Sequence, residues 1–152
     1  MFKIVRIALI TIAFGLLQSS AWAAQATKAD AEGIVEKAAT FAAKNGPDKL
    51  VSEVNKKDGP FHQGELYVFV FDKTGTVVAH PVNPALVGKN QVSEPDADGK
   101  LFRKEILEVA QTKGSGWVDY KYKNPVTGAI EAKTSYVKKQ GDLIIAAGAY
   151  QK

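Results

Sequence analysis

The chain has 152 residues and a formal net charge of +4 at pH 7. It contains no cysteine, which excludes disulfides, thiolate metal sites and cysteine nucleophiles. The net charge is too small for a nucleic-acid-binding protein, because such proteins place many lysines and arginines against phosphates. A chain of about 130 residues is long enough for one hydrophobic core.

The first 23 residues have the three-part pattern of a secretory signal peptide. Lys3 and Arg6 precede an uncharged apolar run at residues 7–17, and the segment ends in Ala-Trp-Ala. This run is too short to cross a bilayer, since a membrane-spanning helix needs about 20 residues. We therefore expect cleavage after Ala23 and a periplasmic or secreted domain over residues 24–152. Cleavage removes two cations and no acid, which lowers the net charge from +4 to +2.

Three helices are predicted from capping residues and apolar periodicity. Thr27 and Asp30 have the spacing of a capping box and open a long N-terminal helix, which Asn45-Gly46 ends. Pro47 suits the first turn of a short second helix. The third helix is expected over residues 101–113, with apolar side chains on one face.

Five strands are predicted. The first, residues 66–71, is apolar on both faces, so it must be covered on both sides. A turn at residues 72–75 leads into a second strand that ends before Pro81. The last three strands form a meander over residues 117–123, 130–138 and 143–150. This order predicts an α+β domain, with a five-stranded antiparallel sheet and a long N-terminal helix and shorter helices against it.

Several short segments, taken together and in order, resemble the single Cache domain family, the extracytoplasmic relatives of PAS domains. They are YVFVFD at 67–72, AHP at 79–81, GKN at 88–90, DGK at 98–100, GWVDY at 116–120, NP at 124–125 and KTSYV at 133–137. The resemblance covers nearly all of residues 24–152. It implies a PAS-like fold with a pocket on one sheet face that senses a small organic acid or amino acid in signal transduction such as chemotaxis. Because no membrane helix or signalling domain follows Tyr150, we expect a separate membrane receptor or kinase as partner.

His80, Lys133 and Tyr136 are the main candidates for binding a small carboxylate, which needs a cation or several donors in a partly dry site. In a regular strand Tyr136 faces away from Lys133, so both reach one ligand only if the strand bends or one acts from the rim. The alternatives are a solvated lysine on the outer sheet face and a surface histidine at a strand end. Aromatic residues complete the candidate set, with core packing as their alternative: Trp117, Tyr120, Tyr122, Tyr67 and Phe69.

An acidic loop from Glu94 to Glu105 has the spacing of an EF-hand calcium loop. The first ligand position holds Glu instead of Asp, and Pro95 leaves no room for an incoming helix, so we interpret the loop as an acidic turn and expect no bound metal. The sequence offers no supported nucleophile or acid–base pair, so we expect a binding protein without cofactor and not an enzyme. The alternative is a ligand-free interaction module that forms a homodimer through its N-terminal helix.

Overall fold

The computed structural model describes residues 25–151, so the predicted signal peptide lies outside the described residues. The helices are α1 (Lys28–Asn45), α2 (Pro47–Val54) and α3 (Phe102–Lys113), with a 3₁₀ turn at Pro84–Leu86. The strands are β1 (His62–Gln63), β2 (Leu66–Asp72), β3 (Val77–Ala79), β4 (Ser115–Lys123), β5 (Ile130–Gln140) and β6 (Leu143–Gln151). The predicted helices and strands are confirmed, and the two-residue β1 is an addition that makes the sheet six-stranded.

The sheet is antiparallel with the order β1-β2-β6-β5-β4, and β3 pairs with β2. The last strand of the chain, β6, therefore lies in the middle of the sheet between β2 and β5. Every residue of β6 from Leu143 to Tyr150 is buried. A strand buried along its length must be covered on both faces, and the helices provide this cover.

The helices divide between the two faces of the sheet. On the α1 face, Val68 and Val70 of β2 pack with Val35 of α1, and α2 joins the same core. On the α3 face, Tyr67, Phe69 and Phe71 of the same strand pack with Ile106 of α3. Because successive strand residues point to opposite faces, β2 contributes to both cores, as its two-sided apolar pattern predicts. None of the described helices is long and apolar enough to span a membrane.

The acidic loop before α3 is organised by the Asp96 carboxylate. Its Oδ1 accepts the N–H groups of Asp98 at 3.0 Å and Lys100 at 2.8 Å, and its Oδ2 accepts that of Lys121 at 2.8 Å. These bonds fold the turn and tie it to β4. Over residues 25–151, no group of three or more His, Asp or Glu side chains is arranged to hold a metal ion.

The capping box at the start of α1 is complete, because Asp30 N–H donates to Thr27 Oγ1 at 3.1 Å and Thr27 N–H donates to Asp30 Oδ2 at 2.8 Å. Thr27→Ala should lower the free energy of unfolding by about 1 kcal/mol, measured by urea denaturation, because a donor at the helix start loses its partner. Thr40→Ala is the matched control, since Thr40 is exposed within the same helix and caps nothing. Equal stabilities of the two variants would show that the cap is not needed.

Candidate functional site

Lys133 is a buried cation on the α3 face. Its side chain is 1% exposed, and Nζ donates a hydrogen bond to the Tyr67 hydroxyl at 2.9 Å. Four ring centroids lie within cation–π range of Nζ: Tyr67 at 4.1 Å, Tyr150 at 4.8 Å, Phe69 at 5.3 Å and Tyr122 at 5.5 Å. We call these four rings the aromatic cage. No carboxylate of the described residues forms an ion pair with Lys133, so its charge has no anionic partner there.

The strand register builds this arrangement. Lys133 lies opposite Tyr120 of β4 and Tyr150 of β6, which places all three side chains on one face. The next pair along the hairpin on that face is Ser135 with Gly148. A Cβ atom on Gly148 would come within 2.7 Å of Lys133 Cε and would overlap Ser135 Oγ. The absence of a side chain at Gly148 therefore leaves room for the Lys133 side chain to cross β6.

The tyrosine hydroxyls form a directed chain of hydrogen bonds. Tyr67 Oη accepts from Lys133 at 2.9 Å and lies 3.4 Å from Tyr150 Oη, which donates to the Lys123 carbonyl oxygen at 2.9 Å. Burial raises the pKa of Tyr67 and of Tyr150 above the usual range. Both hydroxyls therefore stay protonated at neutral pH, and neither can act as a negative partner for the ammonium.

Burial also determines the charge of the two basic groups. It lowers the pKa of Lys133 to about 7, and the negative charge of Glu65 offsets only part of this effect. Burial, together with the positive charges of Lys133 and Arg103, lowers the pKa of His80 to about 3. His80 is thus neutral at pH 7. Since its Nδ1 accepts the Asn83 N–H at 3.1 Å, its proton resides on Nε2.

Arg103 is a second buried cation, which is not among the residues predicted from the sequence. It is 8% exposed at the start of α3, its guanidinium lies 4.3 Å from the Phe102 ring centroid, and Nη1 donates to the Glu94 carbonyl at 3.4 Å. It forms no ion pair with a carboxylate of the described residues. The sequence does contain a pattern that indicates its burial, because Arg103 lies at helical spacing from the apolar residues Ile106 and Ala110.

A small cavity lies between the sheet and α3. Its wall is formed by Tyr67, Phe69, Phe71, Val77, His80, Leu86, Phe102, Arg103, Tyr120 and Tyr122. The space open to the centre of a water-sized sphere is about 10 Å³, which is room for about one water molecule. Lys133 is not part of this wall, but its Nζ lies 4.1 to 5.5 Å from the ring centroids of three wall residues, Tyr67, Phe69 and Tyr122. The wall contains basic groups and no acidic one.

The structure brings six of the eight predicted site residues to the α3 face: His80, Lys133, Tyr67, Phe69, Tyr120 and Tyr122. Because His80 and Lys133 are 4% and 1% exposed, the surface alternatives for both are wrong. Tyr120 stacks on Phe102 with centroids 4.1 Å apart, and its hydroxyl lies 2.9 Å from Ser135 Oγ.

Trp117 and Tyr136 lie on the α1 face, so the expectation that they join the same pocket needs correction. Their rings contact each other at 5.3 Å, and the Tyr136 hydroxyl donates to Glu36 of α1 at 3.4 Å. Lys28 Nζ lies 4.3 Å from the Trp117 ring centroid. The reason is the two-residue period of a regular strand: β5 does not bend between residues 133 and 136, so the two side chains point to opposite faces.

Replacing Lys133 by the uncharged Met should stabilise the fold, and the gain should depend on pH. The pKa of Lys133 is about 7 in the folded chain, against about 10.4 when unfolded. The native state therefore bears the cost of a buried ammonium below pH 7 and loses that cost as pH rises from 7 towards 10. We expect Lys133→Met to gain roughly 2–5 kcal/mol at pH 6 and less at pH 9.5.

Urea denaturation at both pH values measures the effect. Lys104→Met is the control, because Lys104 is exposed on α3 and its replacement removes no buried charge. A gain for Lys133→Met that is the same at both pH values would contradict titration of Lys133 in this range.

Known proteins resemble this chain in both sequence and fold. The Single Cache domain 2 family matches residues 16–152. The chain is 35% identical over 71 residues to the sensor histidine kinase MctS of Rhizobium johnstonii, covering 47% of this chain and 15% of the kinase. It is 30% identical over 86 residues to the methyl-accepting chemotaxis protein McpP of Pseudomonas putida, covering 55% of this chain and 16% of that protein. The chain thus spans about a sixth of the length of these curated relatives.

Solved structures show the same architecture. A periplasmic sensor domain of a chemotaxis protein superposes with a TM-score of 0.64 at 26% identity, covering 80% of this chain and 88% of that domain. A Cache chemosensory domain studied for carboxylic acid recognition gives a TM-score of 0.63 at 24% identity, covering 80% of this chain and 86% of that domain. The α+β fold and the family match agree, and this chain belongs to the Single Cache domain 2 family of sensor domains.

Proposed function

We propose that this chain is an exported sensor domain that binds a small carboxylate on the α3 face and reports its occupancy to a separate signalling protein. The observation that carries the proposal is the Lys133 ammonium, which is buried without an anionic partner among the described residues. A buried charge is costly unless it is paired. A small anion is the ligand that would pair it.

Two other groups support an anionic ligand over a cationic one. Arg103 lies on the cavity wall, and the neutral His80 carries its proton on Nε2, so both are donors. The cavity wall contains no carboxylate, and therefore nothing in it would pair with the ammonium of an amino acid. This favours simple organic acids over amino acids within the ligand classes expected from the sequence.

The relatives support the proposed signalling role. MctS is a sensor histidine kinase and McpP a chemotaxis protein, and each matches this chain over a small part of its own length. We infer that the domain acts with a membrane receptor or kinase of this kind. The signal-peptide pattern of residues 1–23 supports a periplasmic location.

Isothermal titration calorimetry with acetate, propionate and pyruvate, and with ethylamine as a cationic control, tests the proposal. At least one acid should bind and ethylamine should not. Lys133→Met should weaken binding at least thirtyfold, since removing one partner of a buried charge pair typically costs 2–5 kcal/mol. Tyr136→Phe is the control, because Tyr136 lies on the α1 face and should leave the affinity unchanged.

Affinity should also fall as pH rises. The anion requires the protonated form of Lys133, whose pKa is about 7 without an anion, so affinity should be level at pH 6 and drop by up to tenfold per pH unit above 7. The surrounding groups do not titrate between pH 6 and 9: the pKa of His80 is about 3 and burial raises that of Tyr67, Tyr122 and Tyr150. Full affinity at pH 9 would contradict this role of Lys133.

One observation favours a second candidate, a ligand-free module that dimerises through α1. The chain's own side chains occupy most of the space between the sheet and α3 and leave only about 10 Å³ open. This is the arrangement expected if no ligand enters the cavity. In that case the protein would bind none of these acids, and analytical ultracentrifugation would give a dimer whose dissociation constant no acid changes.

A further inference from the structure

Among the described strands, β4 pairs only with β5 and so forms one edge of the sheet. An edge strand presents backbone N–H and C=O groups with which another extended chain can pair. Two such groups of β4 bond to the acidic loop before α3: the N–H of Lys121 and the carbonyl oxygen of Asp119. The outer edge of β4 therefore has a donor and an acceptor placed for a further strand.

The acidic loop covers this edge with side chains that take the place of a partner strand. The Asp96 carboxylate accepts the Lys121 N–H at 2.8 Å, as the carbonyl of a neighbouring strand would. Lys100 Nζ donates to the Asp119 carbonyl oxygen. Asp98 Oδ2 lies 4.0 Å from Lys121 Nζ and supplies a charge partner. The turn of the loop holds these groups together, because Asp96 N–H donates to the Lys100 carbonyl oxygen at 2.9 Å.

The sequence of β4 is complementary to itself in an antiparallel pair. If two copies meet with Tyr120 opposite Tyr120, Asp119 of each copy lies opposite Lys121 of the other. Opposite charges on directly facing residues stabilise a strand pair. The outward backbone groups belong to the same two residues, so Asp119 and Lys121 can form the hydrogen-bonded pair of this register. A second copy of β4 thus fits this edge in both charge and hydrogen bonding.

We propose that the outer edge of β4 is a self-pairing surface, which the acidic loop keeps closed and which takes β4 of a second copy when the loop is released. This surface is distinct from α1, the other route to a homodimer. None of Asp96, Asp119 and Lys121 lines the cavity between the sheet and α3, so this inference goes beyond the proposed function and does not depend on it.

Asp96→Ala in the full chain tests the cover, because it removes the acceptor of the Lys121 N–H and the carboxylate that folds the turn. In sedimentation velocity, this variant should form a dimer with a dissociation constant at least tenfold lower than that of any self-association of the unaltered protein. Asp48→Ala is the matched control, since Asp48 is an exposed carboxylate on α2 and its loss should leave self-association unchanged.

Charge changes identify the surface that pairs. In the Asp96→Ala background, Asp119→Lys places lysine opposite Lys121, and Lys121→Asp places aspartate opposite Asp119. Each of these variants alone should dimerise at least fivefold more weakly than Asp96→Ala, because like charges face each other. A mixture of the two restores opposite charges at both positions and should sediment as a dimer again.

A milder change covers the case in which Asp96→Ala does not fold. Asp96→Asn keeps one oxygen for the N–H groups of the turn and places an NH₂ group against the Lys121 N–H, which should open the edge in the same way. If the unaltered protein already dimerises through α1, either variant should give a tetramer.

Two results would overturn the proposal. One is a variant of Asp96 that is folded by circular dichroism and sediments as the unaltered protein does. The other is a dimer that the charge changes at Asp119 and Lys121 do not weaken, or that mixing the two charge variants does not restore, because the pairing surface would then lie elsewhere.

Discussion

The buried ammonium of Lys133 is the interaction on which the arrangement of the α3 face depends. Burying a charged side chain to 1% exposure costs free energy. One hydrogen bond from Lys133 to Tyr67 and four aromatic rings offset part of that cost. These contacts stabilise a cation less than a carboxylate would. Under the proposed function, a bound acid would supply the missing anionic partner and would stabilise the fold.

The protonation states of the groups around Lys133 also leave its ammonium without a negative partner. Tyrosines with raised pKa values remain hydroxyls, and His80 remains neutral, so the groups near Lys133 donate or orient without adding negative charge. Glu65 is the acid that acts on Lys133 from a distance, but its carboxylate is already bound by Ala26 N–H and by Asn124. The positive charge at this position is therefore full below pH 7 and falls as Lys133 loses its proton above pH 7.

Local sequence signals predicted the elements well because each has a short-range physical cause. The Thr27 cap, the Asn45-Gly46 stop and the two-sided apolar pattern of β2 are all visible without tertiary information. The strand period also separated Lys133 from Tyr136, and the structure shows that separation without the bend that would have reunited them.

The rest of the site depends on tertiary packing, which the sequence alone does not contain. Arg103 and Tyr150 become part of it only because α3 lies across the sheet and β6 pairs between β2 and β5. The size of the cavity depends on how ten side chains from six segments pack together, and no local sequence pattern predicts that packing.

The β5–β6 register has a further consequence, since it sets both the folding core and the site. Sliding β6 by one residue against β5 would turn Gly148 and Tyr150 towards α1 and bring Ala147 and Ala149 under the lysine. The same slip would push Ile144 and Ile145 into each other's cores. A chain with the wrong register would therefore lose its hydrophobic packing together with the aromatic cage, because the same register produces both.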